Sequence, residues 1–319
     1  MSAALRADRG DAHSPAIRRD DRPLAGIALM VLGVSTLPLM DGIAKYLSAD
    51  LHVIQIAWGR YLFHLLILLP LLAWRVPVRA LLPRDPGLHA VRSAFLLGTT
   101  LCYFGAISFL PLADVLSLAF IGPLVCTALS PLVLREHVGP RRWAAVAIGF
   151  AGALIVIRPG LTVFHPASLL GLGAGLCYGA YLVTTRRLSG SNPPMVTLFH
   201  TAVIGAGALS VALPFVWVEP GLSGWAWMAT MGALGALAHF LIIASFERAA
   251  APVVASVSYI EIVAAAAVGW FAFGDFPDDW TWIGIGVIVA SGVFVSVREG
   301  RLRRLPTAPA GPAGPQPEE

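Results

Sequence analysis

Charged residues are few in this 319-residue sequence: Asp, Glu, Lys and Arg together make up 13%, against roughly 25% in a soluble globular domain. Hydrophobic residues fill 57%. A chain of this length folded in water still needs a polar skin, so the shortage excludes an ordinary soluble enzyme and makes lipid the fitting solvent. Cysteine is also rare. Cys102, Cys126 and Cys177 all fall in apolar runs and form no C-x-x-C pair, which excludes a disulfide framework or a zinc ribbon. The motifs of chemistry are missing as well. There is no H-E-x-x-H, no G-x-S-x-G and no G-x-x-x-x-G-K-[ST] loop, and Ala272 stands where a G-x-G-D protease motif needs its first glycine. These absences argue against an intramembrane enzyme and against an ATP-driven pump; no cofactor and no metal is expected. Residues 1–22 carry five arginines but no apolar segment, so they read as a cytoplasmic tail and not a signal peptide. The stretch 301–319, rich in Pro, Ala and Gly, reads as a disordered tail.

What the sequence has is apolar runs of spanning length. A transmembrane helix needs about 20 mostly apolar residues. Such runs occur near 23–47, 53–74, 90–110, 114–134, 141–158, 167–188, 194–217, 223–247, 252–273 and 280–298. The expected fold is therefore an all-α membrane protein of ten transmembrane helices. All but three of the 22 Lys and Arg fall in the tails and in the connections that follow even-numbered spans; the exceptions are Lys45, Arg60 and Arg158. Asp50, Asp114, Glu219, Asp275, Asp278 and Asp279 lie at the opposite side. By the positive-inside rule both termini are cytoplasmic, in a multi-pass protein of the cell inner membrane. The same rule accounts for the net charge of +4 without a nucleic-acid partner.

The sequence repeats. A-I-S-F-L-P-L-A-D-V-L-S from Ala106, running to Pro123 and then R-E-H-V-G-P-R-R-W, aligns with A-S-F-E-R-A-A-A-P-V-V-A from Ala244, running to Glu261 and then F-G-D-F-P-D-D-W-T-W. At an offset of 138 Asp114 meets Pro252 and Pro123 meets Glu261; one inserted residue then brings Glu136 onto Asp275 and Trp143 onto Trp282. This divides the chain into a first repeat, 23–160, and a second, 161–300. Five spans per repeat is an odd number, so equivalent helices run in opposite senses. Inverted repeats of this kind build secondary transporters whose central site opens alternately to each side.

Two tandem five-helix units with acidic signatures after the fourth span of each, L-R-E-H-V-G at 134–139 and F-G-D-F-P-D at 273–278, resemble the drug/metabolite transporter superfamily, in its EamA-type branch. The resemblance covers roughly residues 23–300. With M-D-G-I-A-K at 40–45, W-G-R-Y at 58–61, P-L-A-D at 111–114 and S-Y-I-E at 258–261, the chain is similar to the bacterial group that includes riboflavin and S-adenosylmethionine importers. The resemblance implies a metabolite transporter. The second half departs from the simpler pattern in having Glu261 where the first keeps Pro123.

Charged groups inside spans are costly, roughly 2.5–3.5 kcal/mol at the centre on insertion scales, and face a cavity or a partner. Glu261 stands about 13 Å into the ninth span if that span begins near Pro252. That depth is close to the midplane, where a carboxyl can meet a substrate cation or carry a coupling proton. Asp41 and Lys45 are spaced i, i+4 and can pair on one face; with Arg60 they form an outward-half cluster that would suit an anionic or zwitterionic substrate, or else lock the first two helices while Lys45 snorkels. Tyr103, Tyr259, His239, His64 and His200 lie inside spans as hydrogen-bonding or packing groups. Tyr259 and Glu261 project about 200° apart on an ideal helix, so lining one cavity together needs a local break. Pro123 is expected to break the fourth helix, with Pro38, Pro70, Pro131 and Pro214 acting likewise nearer helix ends. Gly171, Gly175 and Gly179 make a small-residue stripe for close packing, which could also serve a homodimer. The function expected is a secondary active transporter of a small polar or zwitterionic metabolite, a vitamin or nucleoside-like compound among the candidates. An intramembrane enzyme or a multidrug-type exporter is the alternative.

Overall fold

The structure, a computed structural model, describes residues 23–75, 77, 81–83, 85–161, 164–188, 194–249 and 257–302. The N-terminal tail, the C-terminal tail from 303 and the expected start of the ninth span at Pro252 lie outside these. Every regular element among the described residues is a helix. They are α1 (Pro23–Leu47), α2 (Val53–Arg75), α3 (Pro86–Ile107), α4 (Leu112–Ala119), α5 (Gly122–Val133), α6 (Pro140–Ile157), α7 (Ala167–Arg187), α8 (Pro194–Ala212), α9 (Gly221–Arg248), α10 (Ile260–Val268) and α11 (Asp279–Leu302). Among the described residues eight spans are long and apolar enough to cross a membrane, α4 and α5 together making one of them. Two shorter apolar segments, Ile260–Phe273 and Asp279–Val295, complete ten.

Local chemistry sets several boundaries. Asp85 caps α3 by accepting the Leu88 N–H at 3.2 Å, and Pro86 sits in the first turn, where no backbone N–H is missed. As a result α3 begins four residues earlier than the hydropathy suggests, which places Arg92 in the second turn of the helix and not at its start. The fourth span breaks at Phe120–Ile121, and Pro123 occupies the first turn of α5, as its missing N–H dictates. Pro38, Pro70 and Pro131 instead lie within α1, α2 and α5 with no interruption of the helix. The expected breaks at these three do not occur, because neighbouring helices hold the turn around a membrane proline. At Pro214 a short 3₁₀ turn, Leu213–Phe215, closes the seventh span.

Packing runs mainly between the first five spans and the last five. α1 lies along α9, α3 along α7, α6 along α11, α2 against α8 and α9, and α4 and α5 against α7. α10 rests on α1 and α4. The largest apolar core joins Met40, Ile56, Phe104 and Ile107 to Met228, Met231 and Ile262. The approach of α1 to α9 is close: the buried Ser245 hydroxyl donates to the Gly26 carbonyl at 2.7 Å.

The glycine stripe on α7 is used within the chain. A Cβ on Gly175 would stand 2.5 Å from the Leu118 carbonyl oxygen and 2.5 Å from Ile121 Cγ1, and one on Gly179 would stand 2.7 Å from the Gly122 carbonyl. The stripe therefore seats α7 on the break between α4 and α5, and a homodimer would need another face. Gly175→Leu is expected to lower stability by about 3 kcal/mol, the upper range for overpacking, because the obstruction is backbone. Gly207→Ala, which meets nothing within 4 Å, should leave it unchanged. Thermal unfolding of the two variants in detergent checks this, and equal melting temperatures would contradict it.

Candidate functional site

Two helix breaks face each other across the bundle. In the second half a turn at Ser258–Tyr259 precedes α10, Tyr259 is the N-cap residue, and Glu261 lies in the first helical turn. In the first half Ile121 caps α5, and Pro123 holds the matching place. Glu261 thus sits where a helix begins inside the bundle. It is enclosed among helices yet keeps intermediate exposure, as a group facing an internal space does.

Asp41, Arg60, Tyr103 and Glu261 converge there. Asp41 on α1 is 5% exposed and has Arg60 and Tyr103 as electrostatic neighbours. Tyr103 on α3 faces both Asp41 and Glu261; its buried hydroxyl makes no well-formed hydrogen bond to protein. Arg60 on α2 donates to Thr100 Oγ1 at 2.9 Å, and its guanidinium lies 5.6 Å from the ring centres of Tyr61 and Phe104. Tyr61 shares the same Thr100 oxygen at 2.9 Å. The arrangement offers two carboxyl groups, one guanidinium and one phenolic hydroxyl with aromatic walls. Those are the groups that would hold a small polar molecule bearing charge.

Lys45 is placed elsewhere. Instead of pairing with Asp41 on its own helix, it donates to Asp275 Oδ2 at 2.5 Å and to the Leu110 carbonyl at 2.9 Å, and lies 5.0 Å from the Phe273 ring centre. Tyr259 packs on Phe120, with ring centres 5.0 Å apart, and its hydroxyl fills the space a Cβ on Gly292 would need. Tyr178 nevertheless has both Glu261 and Tyr259 as neighbours, and the turn at Ser258–Tyr259 supplies the local break their spacing requires. His239 donates from Nδ1 to the Gly235 carbonyl at 2.7 Å and faces His64, with rings 5.5 Å apart; Arg60 and Arg92 are its charged neighbours. His200 holds the Val196 carbonyl at 2.8 Å.

Hydropathy reasoning misses Arg92, Tyr181 and Thr201. It groups Arg92 with the linker cations, but Arg92 is 3% exposed on α3. The Asp85-Pro86 start signal is the clue that sets it about a turn deeper in the helix. Among the described residues no group of three or more His, Cys, Asp or Glu is placed to hold a metal ion.

Ion pairs mark the two ends of the bundle. At one, Lys45–Asp275 is joined by Arg158 Nη1–Asp278 Oδ2 at 2.6 Å; Asp114 lies among these charges. At the other, Arg186 Nη2 donates to Glu136 Oε1 at 3.1 Å and to Oε2 at 3.2 Å. Asp278 precedes α11 and caps it through the Thr281 N–H at 2.8 Å. Partial burial pushes its carboxyl up, but the Thr281 N–H and the Arg158 guanidinium outweigh this and hold it below its ordinary range. A depressed carboxyl contributes stability above its unfolded value and loses it as pH falls through the folded one. Wild type should therefore melt above Asp278→Asn by a constant margin at pH above about 5, and the margin should close below about pH 3.5. With the side chain about half exposed, the margin is about 1 kcal/mol at most. A margin that persists in acid would contradict the pairing.

The EamA-like transporter family matches twice, over residues 24–158 and 165–297. The chain is 26% identical to the S-adenosylmethionine uptake transporter of Rickettsia prowazekii (strain Madrid E) over 278 residues, covering 86% of this chain and 94% of that protein. It is 28% identical to the riboflavin transporter of Vibrio cholerae, covering 88% and 96%. It is 27% identical to the pseudopaline exporter of Pseudomonas aeruginosa, covering 85% and 96%. A solved crystal structure at 21% identity superposes with a TM-score of 0.58 over 88% of this chain and 98% of that one, which shows a shared fold.

Proposed function

The chain belongs to the EamA-like transporter family, and from that premise we propose that it moves a small charged or zwitterionic metabolite by alternating access around Asp41, Arg60, Tyr103 and Glu261. The observation that carries the proposal is Glu261 at the start of a broken helix, facing Asp41 and Tyr103 inside the bundle. Broken helices at the midplane are where secondary transporters build their sites. A carboxyl in that place can exchange a proton as the site changes sides, and we take it as the coupling group.

Division into repeats 23–160 and 161–300 is supported by the double family match and by the packing. Exchanging each first-half span for its second-half counterpart turns the α1–α9 contact into α7–α3, and leaves α6–α11 and α2–α8 in place. That is the pattern of two repeats related by a pseudo-two-fold axis. The cation-rich end, with Glu136 and Arg186, is assigned to the cytoplasm by the positive-inside rule; both termini then lie there, in a bacterial inner membrane. The end with Lys45 and Asp275 faces outward. Lys45 and Arg186 each lie in the last turn of the first span of their half, and the repeat aligns Asp275 with Glu136. The two ion pairs are thus counterparts, and opening to a given side must break the pair at that end.

The test is flux of S-adenosylmethionine, riboflavin and pseudopaline in reconstituted vesicles of known orientation, with and without a pH gradient. Saturable flux that responds to the gradient is expected for at least one. The pseudopaline relative makes export the second reading, separated by which vesicle orientation accumulates substrate. No saturable flux of any of the three would remove the substrate reading.

A further inference from the structure

Arg92 is a buried cation whose partners are all neutral. Its Nε donates to Thr185 Oγ1 at 2.8 Å, Nη1 to Thr201 Oγ1 at 2.7 Å and Nη2 to Tyr181 Oη at 2.6 Å. The guanidinium lies 4.4 Å from the Tyr181 ring centre. Among the described residues no carboxylate pairs with it. Hydroxyls can solvate a guanidinium but cannot neutralise it, and a buried charge without a counter-charge is costly.

The donor inventory says what is missing. A guanidinium has five N–H groups, and three are taken here. One remains on each terminal nitrogen, the pair that a carboxylate can engage with both oxygens. The Thr185 and Thr201 hydroxyls send their own protons to the Tyr181 and Thr197 carbonyls, at 2.7 Å and 2.9 Å. Tyr181 accepts from Arg92 and, among the described residues, its O–H proton meets no acceptor, so it is a third donor. Three donors and a net positive charge, with no carboxylate among the described residues, make an anion site.

We propose that Arg92 and Tyr181 bind the carboxylate of the transported molecule, in the half of the bundle that carries Arg186. The site connects with the central cluster. Tyr181 stacks on Tyr178, with ring centres 5.9 Å apart and planes at 16°, and Tyr178 neighbours Glu261. Tyr61 neighbours both Arg60 and Arg92. A dipolar molecule can lie along this tyrosine stack with its cationic group toward Asp41 and Glu261 and its carboxylate on Arg92. The substrate class is then zwitterionic, an amino-acid-like head on a body flat enough for aromatic walls. This rests on the transporter reading above, but the anion site itself does not.

The experiment uses the full chain in nanodiscs and follows thermal unfolding by tryptophan fluorescence, with acetate, inorganic phosphate or chloride at matched ionic strength. Acetate is expected to raise the wild-type melting temperature saturably at millimolar concentration. Tyr181→Phe keeps the ring on Arg92 and should weaken the acetate effect about tenfold, the loss of one charge-assisted hydrogen bond; Arg92→Gln should abolish it. A saturable shift with phosphate and none with acetate would overturn the carboxylate assignment. No saturable shift with either anion, or an equal shift in Arg92→Gln, would overturn the site and leave Arg92 a clamp between α3, α7 and α8. In transport, wild type should prefer S-adenosylmethionine over its decarboxylated form, and Arg92→Gln should lose that preference. If neither compound is carried while the acetate shift stands, the transporter's substrate reading fails and the anion site survives.

Discussion

Glu261→Gln is expected to reduce transport by about two orders of magnitude and to remove its response to a pH gradient. The substitution keeps the shape of the side chain and its place in the first turn of α10, so packing is preserved. What it removes is the ionisable carboxyl beside Asp41 and Tyr103. A substrate cation left without its buried carboxylate partner costs about 3–5 kcal/mol, which corresponds to at least a hundredfold in a binding constant. Asp41→Asn should have a smaller effect, because Arg60 and Tyr103 surround Asp41 and remain to orient the substrate. Initial uptake rates in vesicles, with the gradient imposed and collapsed, check this. A Glu261→Gln protein that transports at the wild-type rate with the wild-type pH response would sink the assignment of Glu261 as the coupling group.

The second large effect is expected at the ion pairs. Lys45→Glu places a negative side chain against Asp275, with Asp114 and Asp278 nearby and Arg158 left as the cation among them. On the alternating-access reading the end that carries Lys45 can then no longer close, and transport should fall about tenfold. The pair is partly exposed, 15% for Lys45 and 33% for Asp275, so the interaction is discounted for screening to about 1–2 kcal/mol. Reversing both charges, Lys45→Glu with Asp275→Lys, should recover most of the lost rate. Glu136→Arg with Arg186→Glu is the matching pair at the other end. Double reversals that transport no better than the singles would show that these contacts are not latches.

Much of this architecture is readable before any coordinates. Ten apolar runs, short connections and the alignment of Glu136 with Asp275 depend on lipid burial and on repetition, and both are written along the chain. The break ahead of Pro123 is legible because a missing backbone N–H acts locally. Pro38, Pro70 and Pro131 mislead, because whether a membrane helix tolerates proline depends on neighbours the sequence does not identify. Lys45 misleads in another way. The i, i+4 rule sees Asp41, but Asp275, 230 residues away, lies beyond any rule of spacing. Arg92 is hidden by its sign: a cation near a span end reads as an anchor, and only the capping signal at Asp85-Pro86 sets it a turn deeper.

The crossed packing of the halves also bears on how the chain is made. α1 finds its principal partner in α9, and α3 in α7, so the first helices to leave the ribosome wait in the membrane for partners not yet synthesised. A product cut near residue 160 would hold five spans with most of their mating surfaces uncovered. The bundle is therefore completed by the last helices to arrive, and the early spans keep these faces uncovered until α7 and α9 are in place.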